Sequence, residues 1–267
     1  MSNFNDETDY AKPVKFALNH DPVPKNEKCE KHGDFESRNI FGKVWSSCPV
    51  CNAEQKAIAD RLHAEKEQAE RHLAWQKRIG EAGIPERFKN RTLDCYKATN
   101  AGQKRALAFM TEYAEQFSLV RETGRSAILC GLPGTGKTHL AIGAALHIMA
   151  TGKLAAFTTV QRMIRRLKDS WRNDSGESES DVINMLVYPD LLIIDEIGVQ
   201  FGSDFEKNFM FDLLNERYEK RKPTILLSNL TAVEIKVFLG ERVYDRLKED
   251  GGQCVSFDWK SHRGSDA

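Results

Sequence analysis

Apolar residues are spread unevenly along the chain. Residues 1–27 are polar and hold three of the eight prolines, which predicts a disordered tail. Over residues 52–79 a thin apolar seam of Ile58, Leu62, Ala69 and Leu73 runs through a highly charged stretch, with Trp75 off the seam. That spacing predicts one long helix, polar over most of its surface, which is either solvated or awaiting a partner. Gly83-Ile84-Pro85 breaks the helix and marks a domain boundary. Beyond it the pattern changes. Leu107, Met110, Ala114 and Phe117 share one face of a predicted helix over residues 104–117. Continuous apolar or β-branched runs follow at 127–130, 155–159, 191–195 and 224–228, with a strand-like run at 254–259. Alternating with helical segments, such runs predict a parallel sheet whose strands are buried on both faces and flanked by helices.

A chain of 267 residues has room for one large α/β domain and a smaller module. The formal net charge is zero, so any nucleic-acid contact would come from a local patch rather than a global basic field. No run approaches the roughly 18–20 apolar residues that span a bilayer, and the acidic start lacks the features of a secretory signal. A cytoplasmic location without membrane partners is expected, with the six cysteines reduced. Cys95, Cys130 and Cys254 stand alone and read as small core residues.

Gly131-Leu132-Pro133-Gly134-Thr135-Gly136-Lys137-Thr138-His139 lies between the run ending at Cys130 and an alanine-rich helical segment to Ala150. Strand, glycine-rich turn and helix are the context that a phosphate-binding loop needs. Glycines allow backbone N–H groups to turn inward around phosphate oxygens. The helix adds its positive end, Lys137 reaches the β/γ-phosphates, and Thr138 is placed to ligate magnesium. ATP with Mg2+ is the expected ligand.

The run 191–195 ends in Asp195-Glu196, at the edge of the sheet that carries the loop. Asp195 would hold magnesium and Glu196 would orient and polarise the attacking water. Asn229, ending the run 224–228, is positioned to sense the γ-phosphate, although asparagine also commonly ends strands. Arg242 and Arg246 are four apart and share a helical face. One of them, supplied to a neighbouring subunit, would neutralise transition-state charge, while a surface salt-bridge pair is the plainer alternative. Arg263 is a further nucleotide-facing candidate. In residues 161–171, Arg162, Arg165, Arg166 and Lys168 form a basic face for DNA phosphates, with Trp171 available for stacking. A solvated helix face is the competing reading.

Cys29-x-x-His32 and Cys48-x-x-Cys51 are two ligand pairs with the spacing of a structural, four-coordinate zinc site. Pro49 is expected in a ligand-bearing turn, and Phe35, Phe41 and Trp45 would supply the small apolar cap of such a module, while reduced, unliganded cysteines in a flexible tail are the competing reading. A segment this short needs the metal for a stable core. The expected division is a tail at 1–27, a zinc module at 28–52, a charged helical arm at 53–82 and an ATPase domain at 84–267.

The loop at 131–138, the run 191–196, Ser228-Asn229, residues 240–247 and residues 257–263 together resemble the AAA+ ATPases of the DnaC type, the bacterial and phage helicase loaders. The lead-in Ile84-Pro85-Glu86-Arg87-Phe88 is also similar, and the amino-terminal cysteine pattern looks like that of phage-type loaders. The resemblance implies an ATP-dependent oligomer that grips a ring-shaped, DnaB-like replicative helicase through the arm and helps place it on single-stranded DNA. It implies Lys137, Thr138, Asp195 and Glu196 as the hydrolytic set and Asn229 as first sensor. Arg246 would be the trans finger with Arg242 as neighbour or substitute, Arg263 the second sensor, and 162–171 the DNA face. A transposition helper of the related IstB type shares these core motifs, and a nucleotide-gated adaptor with little turnover is a third possibility.

Overall fold

A computed structural model describes residues 23–39, 44–79, 83–172, 176–198 and 204–261. The chain separates into two compact units, Met1–Glu70 and Arg71–Ala267.

In the smaller unit, β1 (Lys25–Cys29) and β2 (Gly33–Ser37) form an antiparallel hairpin in which Cys29 faces Gly33. β1 thus begins inside the stretch whose composition resembles a tail, because β2 supplies its hydrogen bonds. A bridge between Asn39 and Trp45 and the bond from Ser37 Oγ to the Ser46 carbonyl (2.7 Å) return the chain to this hairpin. α1 (Pro49–Ile79) then starts at the proline itself. Pro49 therefore opens the helix instead of shaping a turn, since the first helical position needs no N–H donor. Its seam residues Ile58, Leu62 and Leu73 are all exposed.

The larger unit is a five-stranded parallel sheet. In chain order it contains α2 (Ala101–Glu115), α3 (Phe117–Thr123), β3 (Ala127–Gly131), α4 (Lys137–Ala150), β4 (Ala155–Thr159), α5 (Val160–Ser170), α6 (Glu179–Val187), β5 (Leu191–Ile197), α7 (Asp204–Glu219), β6 (Thr224–Ser228), α8 (Ala232–Lys248) and β7 (Gln253–Phe257). The sheet order is β4-β5-β6-β3-β7, every pairing parallel. Alternate residues of one strand enter different cores. Leu191 and Ile193 pack with α2, α3 and α4, whereas Leu192 and Ile194 pack with α5 to α8. This two-sided burial is the physical origin of the continuous apolar runs.

Helix ends follow local chemistry. Asn100 with Gln103, Ser178 with Asp181 and Thr231 with Glu234 form capping boxes at α2, α6 and α8. α8 is kinked at Gly240, whose φ of 73° lies outside helical space. Of the three isolated cysteines only Cys130 is fully buried; Cys95 is exposed in a turn and Cys254 is half-buried on the edge strand β7. No described helix is long and apolar enough to cross a membrane.

The guanidinium of Arg217, on α7, is fully buried without a carboxylate among its bonded partners. It donates five hydrogen bonds, to Thr224 Oγ1 and to the carbonyls of Leu186, Val187, Pro189 and Pro223. It ties the end of α6 to the start of β6. Arg217→Met is expected to destabilise the domain by about 3 kcal/mol through these unmet acceptors, read as a lowered urea midpoint.

Candidate nucleotide and metal sites

The loop between β3 and α4 carries Gly131, Pro133, Gly134, Thr135, Gly136, Lys137, Thr138 and His139 at the carboxyl end of β3, which lies between β6 and β7. Gly131, Gly134 and Gly136 all have positive φ (117°, 75° and 100°). At Gly136 a Cβ would also come within 2.6 Å of the Tyr96 ring, so glycine is demanded twice over. The Lys137 ammonium folds over the loop and donates to the carbonyls of Gly131 (2.7 Å) and Leu132 (2.8 Å). Thr138 Oγ1 donates to Asp195 Oδ2 at 3.0 Å. These two side chains are the expected magnesium pair, and their oxygens suit a hard divalent cation. Burial raises the pKa of Asp195, against the bond from Thr138 and the charge of Lys137. His139 lies outside the cradle, its Nε2 2.9 Å from the Thr92 carbonyl and its ring edge-on to Tyr96. Burial lowers its pKa, against the bond to the Thr92 carbonyl.

Glu196 is exposed next to Asp195 and holds a φ of 67°. The ladder between β5 and β6 slips here, between Ile194 and Ile197. Ser228 Oγ braces the irregularity by donating to the Ile197 carbonyl at 2.6 Å, and the Glu196 N–H donates to Asp195 Oδ1 at 2.7 Å. Consecutive side chains of a regular strand point to opposite faces. The slip frees Glu196 from that alternation at the edge that bears the loop. A left-handed, non-glycine residue costs about 1–2 kcal/mol, and such strain clusters at active sites.

Asn229 is exposed directly after β6, the strand between β3 and β5. Arg242 and Arg246 both follow the kink in α8. Arg246 donates to Asn215 Oδ1 (2.6 Å) and lies over the Tyr218 ring, whereas Arg242 is exposed and makes no ion pair among the described residues. Arg263 lies outside the described residues. On α5, Arg166 forms a paired bridge to Glu177, Lys168 reaches Glu206, and Arg162 donates to the Gly83 carbonyl. Arg165 is exposed, and exposed Trp171 packs edge-on against Phe205 with ring centroids 5.0 Å apart. The basic face is therefore largely engaged within the chain.

In the smaller unit, Cys29, His32, Cys48 and Cys51 bring their ligand atoms within 4.8 Å of one another. Cys29 Sγ is 3.6 Å from Cys51 Sγ, and His32 Nδ1 is 3.3–3.8 Å from the three sulfurs. A tetrahedral zinc ion with ordinary bond lengths needs edges of roughly 3.5–3.8 Å. The donor set and its dimensions fit zinc. Backbone bonds at Lys31 and His32 pull the Cys29 thiol down to about 6. Phe35 and Trp45 are half-buried here, and Phe41 lies outside the described residues. Sequence reasoning missed Glu54, whose Oε1 lies 3.3 Å from His32 Nε2 and orients that ring. Its spacing, three residues after Cys51, was the available signal. The bond by which Ser228 braces β5 and the contact of Tyr96 with the loop were not legible in the sequence, because both arise from tertiary contacts.

The family model for the IstB-like ATP binding protein matches residues 55–248, most of the chain. The chain belongs to that family. It is a P-loop ATPase of the AAA+ fold. It is 31% identical over 241 residues to the replicative helicase loader DnaC of Buchnera aphidicola subsp. Baizongia pistaciae, covering 90% of this chain and 91% of that one. To the replicative helicase loader DnaC of Escherichia coli K12 it is 36% identical over 210 residues, covering 79% and 83%. The crystal structure of the DnaC helicase loader superposes with a TM-score of 0.58 at 26% identity, covering 65% of this chain and all of that one. The fold is also that of the replication initiator DnaA bound to AMPPCP and single-stranded DNA, with a TM-score of 0.55 at 20% identity.

Proposed function

We propose that this protein is an ATP-dependent loader that binds a hexameric replicative helicase in the cytoplasm and delivers it to single-stranded DNA. One observation carries the reading. The 241-residue likeness to a replicative helicase loader is longer than the stretch 84–267, so it reaches into the arm as well as the ATPase core. The core alone does not separate a loader from a transposition helper, since the acid pair and loop serve both.

In the proposed mechanism the loop N–H groups and Lys137 hold the triphosphate, and Thr138 and Asp195 hold magnesium, which neutralises phosphate charge when bound. Glu196 orients the attacking water and draws its proton away, and Asn229 senses the γ-phosphate. Arg242 is the better candidate for a finger reaching a neighbouring subunit, because Arg246 is already tied to Asn215 and Tyr218. ATP-dependent self-assembly follows from that role. Zinc held by Cys29, His32, Cys48 and Cys51 shapes the docking end of the arm. DNA contact falls first to Arg165 and Trp171, with Arg166 and Lys168 exchanging Glu177 and Glu206 for phosphates. The division into tail, zinc module, arm and ATPase domain is part of the same proposal.

A pull-down from host extract with ATP present tests the reading. Recovery of a hexameric helicase, reduced when ATP is omitted, is expected. Recovery of a transposase without a helicase would favour the transposition helper instead.

A further inference from the structure

Thr135 is fully buried within the loop, and its carbonyl oxygen accepts two hydrogen bonds from aromatic donors at opposite ends of the ATPase unit. Tyr96 Oη donates from 3.2 Å and Trp259 Nε1 from 3.0 Å. Tyr96 precedes α2, whereas Trp259 follows β7 and belongs to the carboxyl-terminal motif, in which only Arg263 has so far been given a role. The contact is built. Bare Gly136 lets the Tyr96 ring approach the loop, and bare Gly102 on α2 gives Trp259 its place, since a Cβ there would sit 3.0 Å from the indole. The Trp259 ring is half-buried and packs against the core beside Phe257, ring centroids 4.7 Å apart, which holds its N–H on the Thr135 carbonyl.

The Thr135–Gly136 peptide is planar and trans, so its C=O and N–H point in opposite directions. Two donors fix the oxygen on the Tyr96 and Trp259 side. The Gly136 N–H is then directed the other way, toward the concave side of the loop, where backbone N–H groups meet phosphate. Each hydrogen bond to the carbonyl also polarises the peptide and strengthens the N–H as a donor.

Resting on the assignment of this loop to ATP, we infer that Tyr96 and Trp259 are positioning residues for triphosphate binding, holding the Thr135–Gly136 peptide so that its N–H faces the phosphates. Neither residue touches the reacting atoms. The effect belongs to nucleotide affinity and not to the chemical step.

Full-length wild type, Y96F, W259F and the double variant are compared by ATP titration and by turnover at saturating ATP. Each single variant should weaken ATP binding about threefold and the double about thirtyfold. The double exceeds the product of the singles because either donor alone still holds the oxygen. Turnover at saturation should stay within about twofold, and melting without nucleotide should fall by a few degrees at most in the double variant, whose buried carbonyl loses both side-chain donors, while the ATP-induced rise in melting temperature shrinks. A folded double variant that binds ATP as wild type does overturns the inference. So does a parallel fall of affinity, turnover and nucleotide-free melting, which marks a general structural role. If W259F does not fold, Y96F decides alone, and unchanged affinity overturns the inference. A wild type that binds no ATP instead removes the assignment of the loop itself.

Discussion

Glu196→Gln is expected to lower ATP turnover by about 10³-fold while leaving ATP affinity within about twofold. The amide matches the carboxylate in shape but takes no proton from water, so only the chemical step loses its base. The local backbone should survive the change. Its anchors are the Glu196 N–H bonded to Asp195 and the Ser228 hydroxyl bonded to Ile197, and neither involves the Glu196 side chain. Lys137, Thr138 and Asp195 stay in place to hold the triphosphate. Phosphate release measured with and without single-stranded DNA checks the outcome, alongside nucleotide titration. Undiminished release would remove Glu196 from the catalytic role. Loss of binding together with turnover would mean that the carboxylate shapes the pocket.

Cys51→Ser is expected to abolish stoichiometric zinc and, with it, the fold of the amino-terminal unit. Structural zinc sites contribute about 10–16 kcal/mol at neutral pH, far beyond what a hairpin of two five-residue strands with half-buried Phe35 and Trp45 can replace. Cys51 stands in the first turn of α1, so the metal also ties the helix to the hairpin. Metal analysis of wild type should give close to one zinc per chain, and the variant none. The ATPase unit has its own two cores, so ATP affinity should hold within about twofold while helicase capture is lost. Wild-type protein without zinc would end the metal assignment. Helicase capture by the zinc-free variant would detach the arm's role from the metal.

Much of the fold was legible because its strands are buried on two sides. Leu191-Leu192-Ile193-Ile194 is apolar throughout since its alternate residues enter different cores, and the same holds for residues 225–227. The phosphate loop was legible because its chemistry is local: glycine at positive φ, then lysine and a hydroxyl opening a helix. What escaped depends on distant partners. Arg217 sits between Glu216 and Tyr218 and reads as a surface charge, yet its acceptors come from residues 186–189 and 223–224. The basic face of α5 reads as available for phosphate, although Glu177 and Glu206 arrive from elsewhere in the fold to meet Arg166 and Lys168. Pro49 read as a turn residue because proline serves both turns and first helical positions. The slip in β5 has no local sequence mark at all.

That slip sets stability against the chemistry proposed for a single residue. Selection for the most stable chain would place glycine or asparagine at position 196, where a φ of 67° suits either better than glutamate. A carboxylate retained there is a standing cost to the fold of about 1 kcal/mol. Screens that rank variants by thermal resistance alone would therefore tend to discard this carboxylate, the proposed water-activating group, while scoring the loss as an improvement.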